Sequence, residues 1–235
     1  KALWSKLRPL LQSGSTPASQ LTADDHARFF FEKIERIRSS TAAAAPPVIE
    51  DRSIAEPLSV FRPATTEEIA TILHRSQAKQ CQLDPAPSWL VKRASVVLAP
   101  VIARMCIASF QQSALPINSK HAIVRPLLKK SSLDPNDPNS YRPISNLSFV
   151  SKIVEKVVDA RLSSHSSTHN LLPVFQSAYR PFHSTETAVI CVVNNMLTAM
   201  DQGHVGALML LDLSAAFDTV DHQILNDVMR RRFGV

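Results

Sequence analysis

The feature that most constrains this sequence is the apolar run VGALMLLDL at residues 205–213, which contains a single acid, Asp212. A short and nearly continuous apolar run predicts a strand that is buried on both faces. A carboxylate at the end of such a strand is costly unless something offsets its desolvation. Mg²⁺ is one solution, since it takes one or two protein carboxylates. The alternative is that Asp212 accepts hydrogen bonds from the backbone of the following turn.

Glycine and cysteine usage exclude several classes of protein. The chain has 235 residues but only 4 glycines against 16 prolines, whereas average usage gives roughly 16 glycines. The glycines are too scattered for a dinucleotide fingerprint or a phosphate loop. The three cysteines form neither a disulfide framework nor a CxxC zinc pattern, which favours an intracellular setting. No apolar run is long enough for a membrane span. The N-terminal residues 1–12 lack the pattern of a signal peptide.

The charge distribution points to a polyanion as partner. The formal net charge is +6. No Asp or Glu occurs between Asp84 and Asp134, although that stretch holds seven lysines and arginines. A stretch of one sign is typical of nucleic-acid binding, and a solvated basic face remains the alternative.

The periodicity predicts an α+β fold. Capping-box patterns at Thr22 and Thr65 predict the starts of two helices, and residues 88–112 look helical with a kink or break at Pro100. Residues 121–128 and 141–147 are extended runs around a turn-rich loop and predict a β-hairpin. Two more amphipathic helices are predicted at 149–163 and 184–201, followed by the strand at 205–213 and a short helix capped by Asp221. We expect a helical N-terminal and linker region over 1–118 and a second domain over 119–235.

Several blocks together resemble a known family. LLDLSAAFDTVDH, at residues 210–222, resembles motif A of the reverse transcriptases of non-LTR (LINE-type) retrotransposons, of the Jockey and chicken-repeat kind. HAIVRPLLKK and YRPISNLSFVSKIVEKVV resemble the two fingers motifs of that family, and LLPVFQSAYRPFHSTETA resembles the block that leads into the palm. QLDPAPSWLVKR and HARFFFEKIERIR resemble segments that precede the polymerase. The likeness covers about residues 20 to 235 and implies fingers followed by the start of the palm, as part of a right-hand polymerase fold.

The resemblance implies roles for particular residues. Asp212 matches the catalytic metal ligand of motif A, and the carbonyl of Leu213 is expected to help hold the same ion. Phe217 matches the aromatic residue that lies against the sugar of the incoming nucleotide and excludes a ribose 2′-hydroxyl; the alternative is a core aromatic. Arg142 matches the contact to the triphosphate. Either Lys129 or Lys130 matches its companion lysine, and the motif leaves that choice open.

Other basic and polar residues are expected along the template. We expect Lys120 and Arg125 to face template phosphates. Gln176 and Arg180, in the block FQSAYR, are expected to lie near the template or the nucleotide site. Ala178 departs from the family, which usually has glycine there, and this puts the local backbone geometry in question. His165 and His169 lack the Glu of a zinc-binding HExxH pattern, and we expect them to be exposed at a helix end.

The implied activity is RNA-directed DNA synthesis, with Mg²⁺ (or Mn²⁺) as cofactor and an RNA template, a DNA primer and dNTPs as partners. The printed sequence starts without Met, ends soon after motif A and contains no [FY]ADD motif. We therefore expect a fragment that does not polymerise alone. Two alternatives stay open, a non-catalytic nucleic-acid-binding relic or domesticated fragment, and a partner-binding protein that uses its apolar helices. Priming at chromosomal DNA implies the nucleus for an intact element. The sequence does not predict an oligomeric state.

Overall fold

A computed structural model describes residues 19–54, 56–79 and 81–235 of the chain. The described residues fall into two compact units. The first unit contains residues 19–46 and 60–161, without Gln80, and the second contains residues 47–59 and 162–235, without Ala55. The expectation for residues 1–12 lies outside the described part of the chain. None of the described helices is both long and apolar enough to cross a membrane.

The first unit combines helices with one antiparallel hairpin, as the predicted α+β class requires. Its elements in chain order are α1 (Ala23–Thr41), α2 (Thr66–Arg75), α3 (Ser88–Arg93), α4 (Ser95–Gln111), α5 (Ile117–Lys120), β1 (Ala122–Leu128), β2 (Tyr141–Leu147) and α6 (Phe149–Thr168), of which α6 belongs to this unit up to Arg161. A one-turn 3₁₀ helix, Pro138–Ser140, precedes β2.

The predicted helix starts are confirmed at Thr22 and Thr65. The Thr22 side chain accepts from the Asp25 N–H, and Asp25 accepts from the Thr22 N–H, which completes a capping box. Thr65 likewise accepts from the Glu68 N–H at 3.1 Å, but the Glu68 side chain bonds elsewhere, as described below.

The helical region at 88–112 is broken, but not where Pro100 predicts. The break falls at Ala94, between α3 and α4, and Pro100 lies inside α4. Pro100 is the sixth residue of α4, so its missing N–H removes only an early bond of the helix. Ala94 ends α3 by donating to the carbonyl of Leu90 at 2.8 Å.

The predicted hairpin is confirmed, and its register explains why it tolerates two prolines. Pro126 lies opposite Pro143. The Lys129 N–H donates to the Ser140 carbonyl at 2.9 Å, which makes that pair a hydrogen-bonded one. Because such pairs alternate along the ladder, Pro126 and Pro143 form a non-hydrogen-bonded pair. At both positions, the N–H that proline lacks would point away from the partner strand. Each outer edge of the hairpin therefore has one hydrogen-bond donor fewer for pairing with another strand.

The core of the first unit draws on both sides of the boundary expected at residues 118 and 119. Ile69 and Leu73 of α2 and Ile153 and Val157 of α6 are completely buried, together with Cys106 of α4. These side chains belong to one cluster. Burial raises the pKa of the Cys106 thiol, which keeps it in its neutral form.

A buried ion pair joins α6 to α2. The Arg161 guanidinium forms a two-point contact with the Glu68 carboxylate, and its Nη2 lies 2.8 Å from Oε2. Arg161 also donates to the carbonyls of Arg62 and Pro63. The hydrogen bond from Arg161 lowers the pKa of Glu68. The capping-box pattern assigned the Glu68 side chain to the start of α2. In the structure this side chain binds Arg161 of α6 instead.

Asp84 fastens the segment before α3 to the junction between β2 and α6. One carboxylate oxygen accepts from the Phe149 N–H at 2.6 Å and the other accepts from the Cys81 N–H at 2.9 Å. The first of these bonds satisfies a free donor at the start of α6, as an N-cap does. Asp84 thus fixes the point at which the chain leaves the hairpin.

The second unit contains α7 (Thr185–Asp201), α8 (His222–Val228) and a turn of π-helix at Met229–Phe233. The predicted caps of both α-helices are confirmed, since Ser184 accepts from the Thr187 N–H and Asp221 accepts from the N–H groups of Gln223 and Ile224.

The residues 47–59 are tied to the end of the chain within this unit. The Asp51 carboxylate accepts from Nε and Nη2 of Arg231 at 2.6 and 2.9 Å. Gly234 has φ +64°, and a Cβ at this position would lie 2.9 Å from Cδ1 of Ile54. The positive φ favours glycine at this position, whereas the end of the Ile54 side chain could move to admit a Cβ.

The predicted buried strand at residues 205–213 is not present. This segment forms neither a strand nor a helix. Leu210, Leu211 and Leu213 are 84%, 86% and 77% exposed. A strand buried on both faces needs hydrogen-bonded neighbours, and the described residues contain only the β1–β2 pair. The apolar pattern of the segment is therefore not matched by burial in this chain.

Two predictions of burial in the second unit are also wrong. Helix α7 buries none of its residues, and Val189, Val193, Leu197 and Met200, which the pattern places inward, are all about half exposed. Conversely, His165 was expected to be exposed but is buried, and its Nε2 lies 2.7 Å from the carbonyl oxygen of Phe233. An amphipathic pattern identifies the face that can be buried, while burial itself requires a partner element.

Candidate nucleotide and nucleic-acid site

The hairpin of the first unit presents three of the predicted site residues on one face. Residues that lie opposite each other in an antiparallel pair share a face, and so do residues two apart along one strand. Arg142 lies opposite Leu127, and Arg125 lies opposite Ile144. Arg125 and Arg142 therefore share a face, and Lys129, two residues past Leu127, continues it. All three cations are exposed.

Tyr141 packs one end of the opposite face of the hairpin against α1. As the neighbour of Arg142 it points to the opposite face, where its ring meets the buried ring of His26 from α1 edge-to-face at 4.6 Å. The Tyr141 hydroxyl donates to the Pro135 carbonyl at 2.8 Å. Val124 and Pro126 on the Tyr141 face are exposed, so packing covers only its Tyr141 end. The Arg142 face is also open, and the exposed Leu127 and Ile144 lie there among the cations.

The two candidate lysines differ in their surroundings. The Lys129 ammonium donates to the Asn139 carbonyl at 2.6 Å, which orients it and leaves two of its three donors unused. Lys130 is the next residue after Lys129 and follows β1, so it does not belong to the face that Arg142 shares. Lys120, at the end of α5, is exposed.

The remaining predicted residues belong to the second unit. Asp212 is exposed, and none of the hydrogen bonds or ion pairs found among the described residues involves its side chain. The capping role that the sequence left open is therefore not observed. Phe217 is 81% exposed, so the alternative of a core aromatic is not observed either.

The side chains of Gln176 and Arg180 donate hydrogen bonds to backbone carbonyls of their own loop. Arg180 Nη1 lies 3.2 Å from each of the carbonyl oxygens of Pro173, Val174 and Gln176. Gln176 Nε2 donates to the carbonyl of Ala178 at 3.1 Å. Ala178 itself is not among the residues with positive φ, whereas Tyr179 next to it has φ +60°. The alanine in place of the family's glycine is therefore compatible with the backbone of this loop.

The described residues do not make a complete metal site. No group of three or more His, Cys, Asp or Glu side chains in the described part of the chain is arranged to hold an ion. Asp212 and the Leu213 carbonyl are oxygen donors of the kind that Mg²⁺ prefers, and Mg²⁺ keeps several waters or substrate oxygens. They fit one part of a ligand set, and the rest has to come from other groups.

Sequence reasoning missed Asp84, Glu68 and Arg161, which hold the hairpin and α6 in place. Their partners lie 65 and 93 residues away in the sequence, so no local pattern predicts them. It also missed the basic residues around a cleft on α6, although Lys152 and Lys156 are four residues apart and therefore share a helix face.

Comparison with known proteins relates the part of the chain from the end of β1 onwards to one family. Residues 128–233 match the family model for reverse transcriptase (RNA-dependent DNA polymerase). The resemblance to reverse transcriptases that the sequence motifs predicted is confirmed for these residues.

The similar proteins come from non-LTR transposons. The RNA-directed DNA polymerase from the mobile element jockey of Drosophila melanogaster is 34% identical over 46% of this chain and 12% of its own length. The probable RNA-directed DNA polymerase from transposon BS of the same species is 32% identical over the same shares. That from the X-element is 28% identical over 71% of this chain and 18% of its own length. The chain thus spans less than a fifth of the length of these relatives.

Proposed function

We propose that this chain is a part of an RNA-directed DNA polymerase of a LINE-type retrotransposon, and that the open hairpin face binds the incoming dNTP. The proposal depends on one observation, that Arg125, Lys129 and Arg142 share an exposed face of the β1–β2 hairpin, and that Lys129 and Arg142 lie within the residues that match reverse transcriptases. The triphosphate needs several cations, and an Arg guanidinium offers two parallel donors to phosphate. Arg142 with Lys129 is the pair we assign to the triphosphate, since Lys130 lies beyond this face. Arg125 and Lys120 then face template phosphates.

The proposed reaction is nucleotidyl transfer. The 3′-hydroxyl of the primer attacks the α-phosphorus of the dNTP, the new phosphodiester bond forms, the bond to the β-phosphate oxygen breaks, and pyrophosphate leaves with that electron pair. Asp212 and the Leu213 carbonyl would hold one divalent ion, Mg²⁺ or Mn²⁺, and Phe217 would pack against the sugar. Divalent ions at this site would stabilise the negative charge that develops on the attacking and leaving oxygens, and a second ion would require carboxylates beyond Asp212. Gln176 and Arg180 hold the loop beside the template.

The substitution Asp212→Asn in the full-length polymerase tests the proposal. We expect template-dependent dNTP incorporation to fall at least about a hundredfold, because losing a metal ligand removes several kcal/mol of transition-state stabilisation. RNA binding should change little. The matched control is Asp201→Asn at the exposed end of α7, which should leave both measurements unchanged. DNA synthesis that survived Asp212→Asn would contradict the role of this residue.

The polypeptide of these 235 residues tests the same proposal from the other direction. It offers one site carboxylate, so we expect no primer extension from it. If the full-length protein bound RNA in a salt-dependent manner but made no DNA at all, the non-catalytic binding function would replace the enzymatic one. Binding that did not depend on salt would favour the protein-partner alternative. Priming at chromosomal DNA would require entry into the nucleus, and we include that location in the proposal.

A further inference from the structure

A second basic feature of the first unit lies away from the hairpin face. A cleft of about 590 Å³ separates the end of α2 from one face of α6. Its lining includes four cations and two acids, which are Arg75, Lys79, Lys152, Lys156, Glu155 and Asp159. The cations lie on both walls, since Arg75 and Lys79 follow α2 while Lys152 and Lys156 lie on α6.

The four cations of this cleft outnumber its two carboxylates. None of the ion pairs found among the described residues involves Arg75, Lys79, Lys152 or Lys156. Lysines four apart on one helix face repel each other by a few tenths of a kcal/mol. Lys152 and Lys156 are such a pair, and Arg75 on the facing wall adds to the repulsion. An anion in the cleft would relieve it.

The floor of the cleft is polar and fixed. Ser76 is buried, and its hydroxyl accepts from Nζ of Lys156 at 2.7 Å while its carbonyl accepts from Nζ of Lys92 at 2.5 Å. Both partners of these lysines are neutral, so the two bonds orient the ammonium groups without cancelling their charge. Lys156, which lines the cleft, is therefore held in place before any ligand arrives.

We propose that this cleft binds the phosphodiester backbone of single-stranded RNA. The inference rests on the proposed function and extends it to a second contact for the template. Phe149 borders the cleft and follows β2, the strand that carries Arg142, almost directly. The six residues from Arg142 to Leu147 span on the order of 17 Å, the length of about five stacked nucleotides. One strand can therefore reach from the hairpin face to the cleft.

A phosphate backbone fits the cleft better than other anions do. Its volume is that of a pocket for a small ligand, which admits a short stretch of one strand and not a double helix. A flexible polyanion can also place its phosphates near the four cations while keeping them away from Glu155 and Asp159. Such contacts carry no sequence information and make the affinity salt-dependent.

The test measures RNA binding by the 235-residue chain and its double variant Lys79→Gln/Lys152→Gln. Neither side chain makes a hydrogen bond or ion pair that is found in the described part of the chain, so the fold should tolerate the change, and circular dichroism checks this. The probe is a fluorescent unstructured RNA of about 20 nucleotides, which spans more than one ssRNA site. Anisotropy at salt concentrations between about 50 and 200 mM gives the slope of log K against log salt. We expect the slope to fall by about 1.4, since each phosphate contact to a single strand contributes about 0.7.

Three further variants make the result specific. Arg36→Gln/Arg38→Gln on α1 removes the same charge from an exposed helix surface and should keep the slope of the unchanged chain. Lys79→Arg/Lys152→Arg keeps the charge in the cleft and should also keep the slope. Arg125→Gln/Arg142→Gln on the hairpin face should lower it, as the proposed function requires.

The outcomes separate the two proposals. A slope that is lowered by the hairpin variant but not by the cleft variant would overturn the cleft inference and leave the proposed function standing. If neither variant lowered it, both would fail. An equal fall in the α1 control would show that only the total charge matters, which also overturns the inference. Tighter binding of duplex DNA than of single-stranded RNA at the cleft would overturn the choice of ligand.

Discussion

Arg161 connects the region before the hairpin to the helix that follows it, and its contact with Glu68 has consequences for stability. The Arg161 side chain is only 5% exposed and that of Glu68 is 21% exposed. Removing one partner of such a pair leaves the other charge poorly solvated. Arg161 also holds the carbonyls of Arg62 and Pro63, so its loss affects more than one bond.

We expect Arg161→Ala to lower the free energy of unfolding by about 3 kcal/mol. Glu68→Gln leaves the Arg161 guanidinium without its carboxylate and should also lower the free energy of unfolding, although the amide oxygen introduced there can still accept a hydrogen bond. The pKa of Glu68 is lowered in the folded chain from its ordinary value of 4.5, so its contribution is present above that value and is lost as the pH falls through the folded pKa. Urea denaturation from pH 7 to pH 3 should therefore show a weaker acid dependence in Glu68→Gln than in the unchanged chain.

A contrary result would be equally clear. If both variants kept the acid dependence of the unchanged chain, other carboxylates would control it. Asp25 and Asp51 also have lowered pKa values through hydrogen bonds to Thr22 and Arg231, respectively, but both are exposed and should contribute little.

Residue identity predicted local contacts well and distant contacts poorly. Thr22, Ser184 and Asp221 cap the helices that their patterns indicated, because a cap bonds to residues two or three positions away. The pattern at Thr65 and Glu68 was only half correct, because a buried guanidinium 93 residues away competes for the carboxylate. Asp212 and Phe217 were identified from motifs, and the structure places both at the surface of the second unit.

Helices and strands, like single residues, were predicted well where they depend on local sequence and poorly where they depend on distant parts of the chain. The hairpin and most helix bounds agree with the sequence, since turn residues and period are local properties. The segment 205–213 does not, because an interior strand depends on neighbouring strands. The apolar face of α7 is a similar case. The helix forms as its pattern predicts, but the apolar side chains on this face are about half exposed.

The substitution Leu211→Ser distinguishes a buried strand from the exposed segment that is observed. Leu211 is 86% exposed, so we expect the free energy of unfolding to change by less than about 0.5 kcal/mol. A buried leucine would cost several times more. The comparison variant is Ile153→Ala in α6, where the side chain is fully buried and the expected loss is at least about 2 kcal/mol. A comparable loss for both variants in urea denaturation would show that residues 205–213 are packed in solution.

At the scale of the whole molecule, the buried residues are unevenly divided between the two units. All twelve residues of the core cluster lie in the first unit. The second unit holds α7, which buries none of its residues. The sequence showed the abundance of apolar side chains but not this division, because hydropathy along a chain does not say which faces meet.

Hydrogen exchange should therefore differ between the units. Local opening is easiest where few apolar contacts are buried. We expect the backbone amides in the middle of α7 to exchange at least about tenfold faster than those of α4, which buries Ile102 and Cys106 among others. Mass spectrometry of exchanged peptides measures this directly, and equal protection of the two helices would contradict the uneven stability.

The shared core of the first unit also determines what happens if the backbone is cut. The exposed loop between β1 and β2 is an accessible place for a protease, and cleavage there would separate α2 and α4 from α6. Neither piece can bury its apolar side chains without the other, and the Arg161–Glu68 ion pair joins the two pieces. A nicked molecule would therefore stay together as a two-piece complex, and halves made separately would reassemble by complementation.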